Sequence, residues 1–285
     1  MSREDSIERV ADFSCRVCDS QHLSYLFAYG SGDEFRYYRC ANCGLVNYDL
    51  SGGLDQTQYH EDYCDPTDST LAVNITTDQT FRYLEKNIGS PGKMMDIGCG
   101  FGRLLYRMRE AGWKASGLEL DASTAARVRE ELGVDVRVAN FLDCEFTDHD
   151  AHAYDLVVLR HVLEHLPNSR LAMQKIDGLL KPHGYLLLEM PNIDGLTQRW
   201  RRVLLNGGLR NKRVSKDFRP GHCNEFNRRS ITYLAERSGF ELVDWETYSK
   251  RASLAWFYRK LPIGNKARAL LRRSGTAKKG AVDTH

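Results

Sequence analysis

The sequence contains no apolar run approaching the roughly 20 residues that a membrane-spanning helix needs, which excludes a helical membrane protein. Its start, Met1-Ser2-Arg3-Glu4-Asp5, is charged and lacks the apolar core of a signal peptide, so a cytoplasmic location is expected. Internal repeats and low-complexity segments are absent as well. Acidic residues are missing altogether between Lys250 and Lys279, where ten Lys or Arg occur. Because the formal net charge is only +2, the remainder of the chain is net acidic. Only particular segments could therefore seek anions. With 285 residues, the chain suffices for one full α/β domain with appendages and is too short for two large ones.

A disulfide framework is not expected of a cytosolic chain, although eight cysteines are present. Four of them follow a pattern, Cys15-Arg16-Val17-Cys18 and Cys40-Ala41-Asn42-Cys43-Gly44. Two residues between thiols let a tight knuckle present both sulfurs to one tetrahedral ion. The intervening 21 residues accommodate a β-hairpin through 23–27 and 35–39, turning at Gly30-Ser31-Gly32. A structural Zn2+ held by Cys15, Cys18, Cys40 and Cys43 in a zinc ribbon is the expectation. Two unrelated or redox pairs are the alternative. A segment of about 50 residues also folds poorly without such a staple. Cys64, Cys99, Cys144 and Cys223 show no pairing pattern and read as structural thiols.

The most informative stretch is Met94-Met95-Asp96-Ile97-Gly98-Cys99-Gly100-Phe101-Gly102, followed by the amphipathic Arg103-Leu104-Leu105-Tyr106-Arg107-Met108-Arg109. It reads as strand, glycine turn and helix. The order is Asp-x-Gly-x-Gly-x-Gly and lacks the G-x-G-x-x-G spacing that seats a dinucleotide pyrophosphate. A fixed negative charge before the turn suits a cationic ligand with an amino acid moiety. About twenty residues on, Glu119 closes a second strand, where it can accept both hydroxyls of a ribose. An adenosine carrying a sulfonium amino acid fits both features.

Residues 93–190 resemble the class I S-adenosylmethionine-dependent methyltransferases. The resemblance runs through the glycine loop, Glu119, the third strand ending Ala139-Asn140-Phe141, and the segment Tyr154–Asn168 with its Arg160-His161-Val162-Leu163-Glu164-His165. It closes with Leu179-Leu180-Lys181-Pro182-His183-Gly184 and the apolar strand after it. It implies that Asp96, Gly98, Cys99, Gly100 and Gly102 hold the methionine end of S-adenosyl-L-methionine. It places the ribose at Glu119 and the adenine at Asn140 and Phe141, with Leu120 and Arg160 on the same edge. It further implies a Rossmann-like, doubly wound sheet, mostly parallel, with ligands beyond the carboxyl ends of the strands. An antiparallel last strand is expected from a hairpin of 241–248 with 253–258. The expected organisation is a zinc ribbon at 1–50, a connector at 51–75, a methyltransferase domain at 76–260 and a basic tail at 261–285.

The ribbon with Gln58-Tyr59-His60-Glu61-Asp62-Tyr63-Cys64 is similar to bacterial methyltransferases that pair a four-cysteine ribbon with a tyrosine-containing connector. That group includes deoxysugar C-methyltransferases and relatives from surface-polysaccharide clusters. The sequence is shorter than the sugar C-methyltransferases, whose additional C-terminal domain is not expected here, so another sugar or small polar metabolite is the expected acceptor.

For the proton that methyl transfer releases, histidine is the natural acceptor near neutral pH. His222, in Arg219-Pro220-Gly221-His222-Cys223-Asn224-Glu225, is the first candidate base, with a cap on the following helix as its other reading. His161 and His165 leave the fourth strand and serve either as bases or as scaffold. Tyr59 and Tyr63 could orient an acceptor. Eight basic residues between Arg199 and Arg219 form either a solvated face or an overhang that would favour an anionic acceptor such as a nucleotide sugar. The basic C-terminal segment reads as a solubilising tail, or as a peripheral contact with an anionic membrane surface. A small-molecule or glycan-precursor substrate is the expected partner. An RNA substrate read by the ribbon is the main rival. It is disfavoured because residues 1–75 are not basic overall and the Asn/Asp-Pro-Pro-aromatic signature is missing. A non-catalytic cofactor-binding module is the third reading.

Overall fold

The computed structural model describes residues 11–30, 32–55, 75–207, 218–248 and 263–275. At the N-terminus, strands β1 (Leu23–Tyr29), β2 (Phe35–Cys40) and β3 (Val46–Tyr48) form an antiparallel meander. Alternate aromatic side chains hold it together: Phe27 stacks on Tyr37 at 4.6 Å, and Tyr37 meets Tyr48 at 5.1 Å. The expected hairpin is present over these residues.

Helix α1 (Ile75–Asn87) precedes the first sheet strand, β4 (Lys93–Ile97). Then follow α2 (Arg103–Glu110), β5 (Lys114–Glu119), α3 (Ala122–Leu132), β6 (Asp135–Val138), β7 (Tyr154–Arg160), α4 (Ser169–Leu179) and β8 (Leu180–Pro191). Local chemistry sets the boundaries. Asp121 caps α3 by accepting from the Thr124 amide at 2.7 Å, and Gly133 ends it in the left-handed conformation. Helix α5 (Leu196–Asn206) leads to the short strand β9 (Asn224–Glu225), then α6 (Arg228–Arg237), β10 (Phe240–Tyr248) and β11 (Lys266–Arg273).

The seven-stranded sheet has the order β10-β11-β8-β7-β4-β5-β6. Strands β6, β5, β4, β7 and β8 pair in parallel, and β11 runs antiparallel to both of its neighbours. The expected Rossmann-like, mostly parallel architecture is therefore the observed one. Buried side chains cover both of its faces. One face packs Phe81, Leu84, Leu104, Met108 and Val128; the other packs Met95, Ile97, Met173, Ile176 and Leu234.

Two expectations require correction. The partner of β10 is Lys266–Arg273, not 253–258, which lies outside the described residues. The stretch read as a basic tail thus supplies a strand between β10 and β8. Its charges find partners there: Arg268 faces Glu189 on one side and Glu246 on the other, and its side chain is only 3% exposed. Arg273 pairs with Asp177, and Arg272 lies over the Tyr185 ring. The second correction concerns the ribbon boundary. Strand β9 pairs with β3, so residues 224–225 complete the N-terminal sheet. The cysteine region also shares one buried cluster with Met95, Leu163, Phe226 and Ile231.

Candidate active site

At the carboxyl end of β4 the chain turns through Gly98, Gly100 and Gly102, all with positive φ. The turn is tied down by the amides of Gly98 and Cys99, which donate to the Leu118 carbonyl at 2.7 and 3.2 Å. Glu119, at the end of β5, accepts from the Gly100 amide at 2.8 Å and from the Leu120 and Asp121 amides at 2.8 and 3.1 Å. A Cβ on Gly98 would come within 2.5 Å of Val162 Cγ2. At Gly100 a Cβ would meet nothing within 4 Å, so the backbone there faces open space.

That space is a cavity of about 400 Å3 beyond the strand ends, within the ~300–1,000 Å3 usual for small-molecule sites. Asp96, Gly98, Cys99, Gly100, Glu119, Leu120, Asn140, Phe141, Arg160, His161 and His165 all line it. Gly102 and His222 do not. Gly102 instead stands at the N-cap of α2, where a Cβ would press on Val128. Asn140 uses its side-chain oxygen to accept from the Leu142 amide at 3.0 Å, and Phe141 is buried against Phe146.

Asp96 carries the clearest electrostatic signal. Burial pushes its carboxyl up to about 7, with Arg160 opposing and Glu119 and Glu189 adding. Its Oδ1 is buried with no hydrogen-bond partner among the described residues. An orphaned carboxylate oxygen beside an open glycine turn fits the ammonium end of a cofactor such as S-adenosylmethionine.

The family profile for the methyltransferase domain matches residues 74–244, more than half of the sequence. The chain belongs to that family. It is similar to the ubiquinone biosynthesis O-methyltransferase of Cronobacter sakazakii, at 33% identity over 35% of this chain and 42% of that protein. The Haemophilus ducreyi protein of the same name is 28% identical over 47% of this chain and 61% of that one. The chain thus spans about half the length of the curated relatives it matches. An S-adenosylmethionine-dependent methyltransferase from Mesorhizobium loti shares the fold, with a TM-score of 0.51 at 16% identity, over 68% of this chain and 96% of that one.

Three histidines of this methyltransferase domain, His161, His165 and His222, gather around Glu164. His161 approaches Glu164 Oε1 through Nδ1 at 3.3 Å, and its Nε2 accepts from Lys266 Nζ at 2.9 Å. Its φ is 57°, a left-handed conformation that costs a non-glycine residue ~1–3 kcal/mol. The two side-chain contacts hold it there. His165 Nδ1 donates to the Gly221 carbonyl at 2.9 Å, and His222 Nδ1 donates to Glu225 Oε1 at 3.0 Å. The two rings meet edge to face at 4.7 Å.

Glu164 is fully buried. Burial works against its charge, yet His161, His222 and His165 outweigh this and keep the carboxylate below its usual range. Burial lowers the pKa of His165, against the pull of Glu164. For His222, burial opposes the charge, but Glu225 and Glu164 prevail and raise the pKa to about 9. A cation held between two carboxylates, one ring behind the cavity wall, is poorly suited to taking a proton at neutral pH. Nor does His222 cap α6, since Asn227 does so, in a capping box with Ser230.

Lys266 was invisible as a site residue in the sequence, because it sits in the segment read as a tail; it lines the cavity beside Thr76 and Thr77. Tyr59 and Tyr63 lie outside the described residues. Of the basic run, Arg201 covers the Tyr29 ring and so packs α5 on the N-terminal sheet, while Arg202 donates to the Ile193 carbonyl in the turn before α5.

The four patterned cysteines converge, with one sulfur from each within 4.8 Å of all the others. Cys15 and Cys43 sulfurs are 3.5 Å apart, and Cys18 and Cys40 3.4 Å. Tetrahedral zinc with Zn–S bonds of ~2.3 Å would set sulfurs about 3.8 Å apart, so a small outward shift accommodates it. Asn47 Nδ2 points at the Cys15 sulfur from 3.7 Å. No helix among the described residues is long and apolar enough to cross a membrane.

Proposed function

We propose that this chain catalyses S-adenosylmethionine-dependent methyl transfer to a hydroxyl of a small polar, anionic acceptor such as a nucleotide sugar or polysaccharide precursor. The observation that carries this reading is a single cavity that joins the orphaned Asp96 carboxylate and the glycine turn to the His161, His165 and Lys266 group. S-adenosylmethionine, when bound, supplies a sulfonium methyl for in-line displacement.

The chain's residues provide alignment. Asp96 takes the ammonium group, Glu119 the ribose hydroxyls, and Asn140 with Phe141 the adenine. Lys266 places a cation in the cavity for an acidic acceptor group, while its contact with His161 fixes that imidazole. Holding both reactants in one orientation contributes much of the rate gain in such a displacement. A hydroxyl nucleophile is supported by the name of the Cronobacter sakazakii relative, an O-methyltransferase. A structural Zn2+ held by Cys15, Cys18, Cys40 and Cys43 completes the assignment, supported by the convergence of the four sulfurs.

The test incubates the purified chain and methyl-labelled S-adenosylmethionine with nucleotide sugars, lipid-linked sugar precursors and total RNA, followed by mass analysis. Label on a sugar or precursor oxygen is the expected result. Label on RNA alone would overturn the acceptor class, and absence of cofactor binding would overturn the activity itself.

A further inference from the structure

We infer that Glu164, His165 and His222 form a divalent-cation site, separate from the four-cysteine cluster, at the edge of the cavity. Each residue offers one ligand atom, and these atoms lie within 4.8 Å of one another. The orientation of the two imidazoles matches what metal binding demands. Each commits Nδ1–H to a fixed acceptor, the Gly221 carbonyl at 2.9 Å for His165 and the Glu225 carboxylate at 3.0 Å for His222. Such partners select the tautomer and present Nε2 as the ligand nitrogen. Glu164 supplies the third group. Its side chain is 1% exposed, and its Oε2 has no hydrogen-bond partner among the described residues.

The two segments that carry these ligands are stapled together. Both the amide and the thiol of Cys223 donate to the Glu164 carbonyl, at 3.0 and 3.3 Å. From the other side, Arg16 Nη1 donates to the Cys223 carbonyl at 3.0 Å. The site is therefore preorganised by backbone contacts before any ion arrives.

Two imidazoles and one carboxylate suit Mn2+, Fe2+, Co2+ or Zn2+ better than Mg2+, which prefers oxygen ligands. Three protein ligands leave coordination positions for water and for an acceptor hydroxyl. His165 reaches the cavity wall, so an acceptor oxygen on the ion would stand at the site of methyl transfer. A bound cation lowers the pKa of such a hydroxyl. The hydroxyl proton leaves to water, the oxygen–carbon bond forms as the sulfur–carbon bond breaks, and the ion keeps its oxidation state. This catalytic consequence rests on the methyl-transfer reading; the ion site does not.

The experiment titrates Mn2+ alone into the full chain with its tightly held zinc in place, and counts free Mn2+ by electron paramagnetic resonance. Hard Mn2+ discriminates against the thiolate cluster. One Mn2+ per chain is expected. His222→Gln and Glu164→Gln should abolish it, and Glu225→Gln, which changes the carboxylate that holds the His222 imidazole, should weaken it by about 10–100-fold. S-adenosylmethionine affinity, measured on every variant, reports the fold: variants that keep it are folded. Wild-type chain that binds no Mn2+, or folded variants that bind it as well as wild type, would overturn the site. Mn2+ binding without methyl transfer to any acceptor would overturn the function proposed above and leave the ion site standing.

Discussion

Asp96 is almost wholly buried, and burial holds its carboxyl up at about 7, against 3.8 for a free side chain. Between those values the folded chain binds more protons than the unfolded one. This group's contribution to stability therefore falls as pH rises from about 4 to about 7. Asp96→Asn removes that penalty, so it should raise the melting temperature of the cofactor-free protein at pH ~8. The same change should weaken S-adenosylmethionine binding by about 1.5–3 kcal/mol, the worth of a hydrogen bond to a charged group. In the wild type, affinity should climb with pH towards about 7, by up to ~tenfold per unit, and the asparagine variant should flatten that dependence. Calorimetry at three pH values checks both claims, and a pH-independent wild type would remove Asp96 as the ammonium partner. The place of Asp96 and the glycines at the cavity was legible because one short stretch of sequence carries the whole turn, and that of Glu119 because it closes the next strand. The Glu164 cluster was only half legible. The His161-x-x-Glu164-His165 run stood out, but its meeting with His222 and Glu225 depends on a chain return that no local pattern encodes.

Strand β11 carries the main lesson at the scale of elements. The apolar runs of β4, β7 and β8 announce buried parallel strands, since both of their faces are covered. Lys266-Ala267-Arg268-Ala269 reads instead as solvated charge, and only the facing Glu189 and Glu246 make it a sheet interior. Arg268→Ala would leave Glu189, whose side chain is fully buried, with Arg160 and Thr80 as its remaining partners. Leaving a buried charge unpaired costs ~3–5 kcal/mol, and because Arg160 still pairs with Glu189, chemical denaturation should register a loss below that range. Arg268→Met should be milder than alanine, because it refills the volume left by the arginine stem. If the alanine variant unfolds at the same denaturant concentration as wild type, β11 is held by its backbone and apolar residues alone.

For the molecule as a whole, the N-terminal sheet and the methyltransferase domain share structure, so, on the proposal that the four cysteines hold zinc, removal of the ion should be felt on both sides. Strand β9 pairs with β3, and Arg16 holds the backbone beside His222. Extracting the metal should raise hydrogen exchange across residues 13–48 and also across 221–227. The cofactor turn hangs on β4 and β5, so S-adenosylmethionine affinity should change by less than about threefold. Replacing Cys40 and Cys43 by serine should remove one equivalent of zinc relative to wild type. Exchange confined to residues before 50 would show that the ribbon is an independent unit after all. The sequence made the two parts visible through the paired cysteines and the glycine turn. Their fusion was hidden, because a two-residue strand has no periodicity to read.

The shared strand also sets a timetable. Residues 23–48 leave the ribosome early, yet the edge that completes their sheet, Asn224–Glu225, is not translated until most of the domain has been made. At ~5–20 residues per second, the exposed edge of β3 waits on the order of ten seconds or more. An unpaired edge during that interval invites pairing with another nascent chain. On the reading that the four thiols hold zinc, all of them are available once Cys43 has emerged. Metal capture would then fix the meander in a shape that waits for its last strand, and zinc-starved cells should accumulate aggregated rather than merely inactive chains.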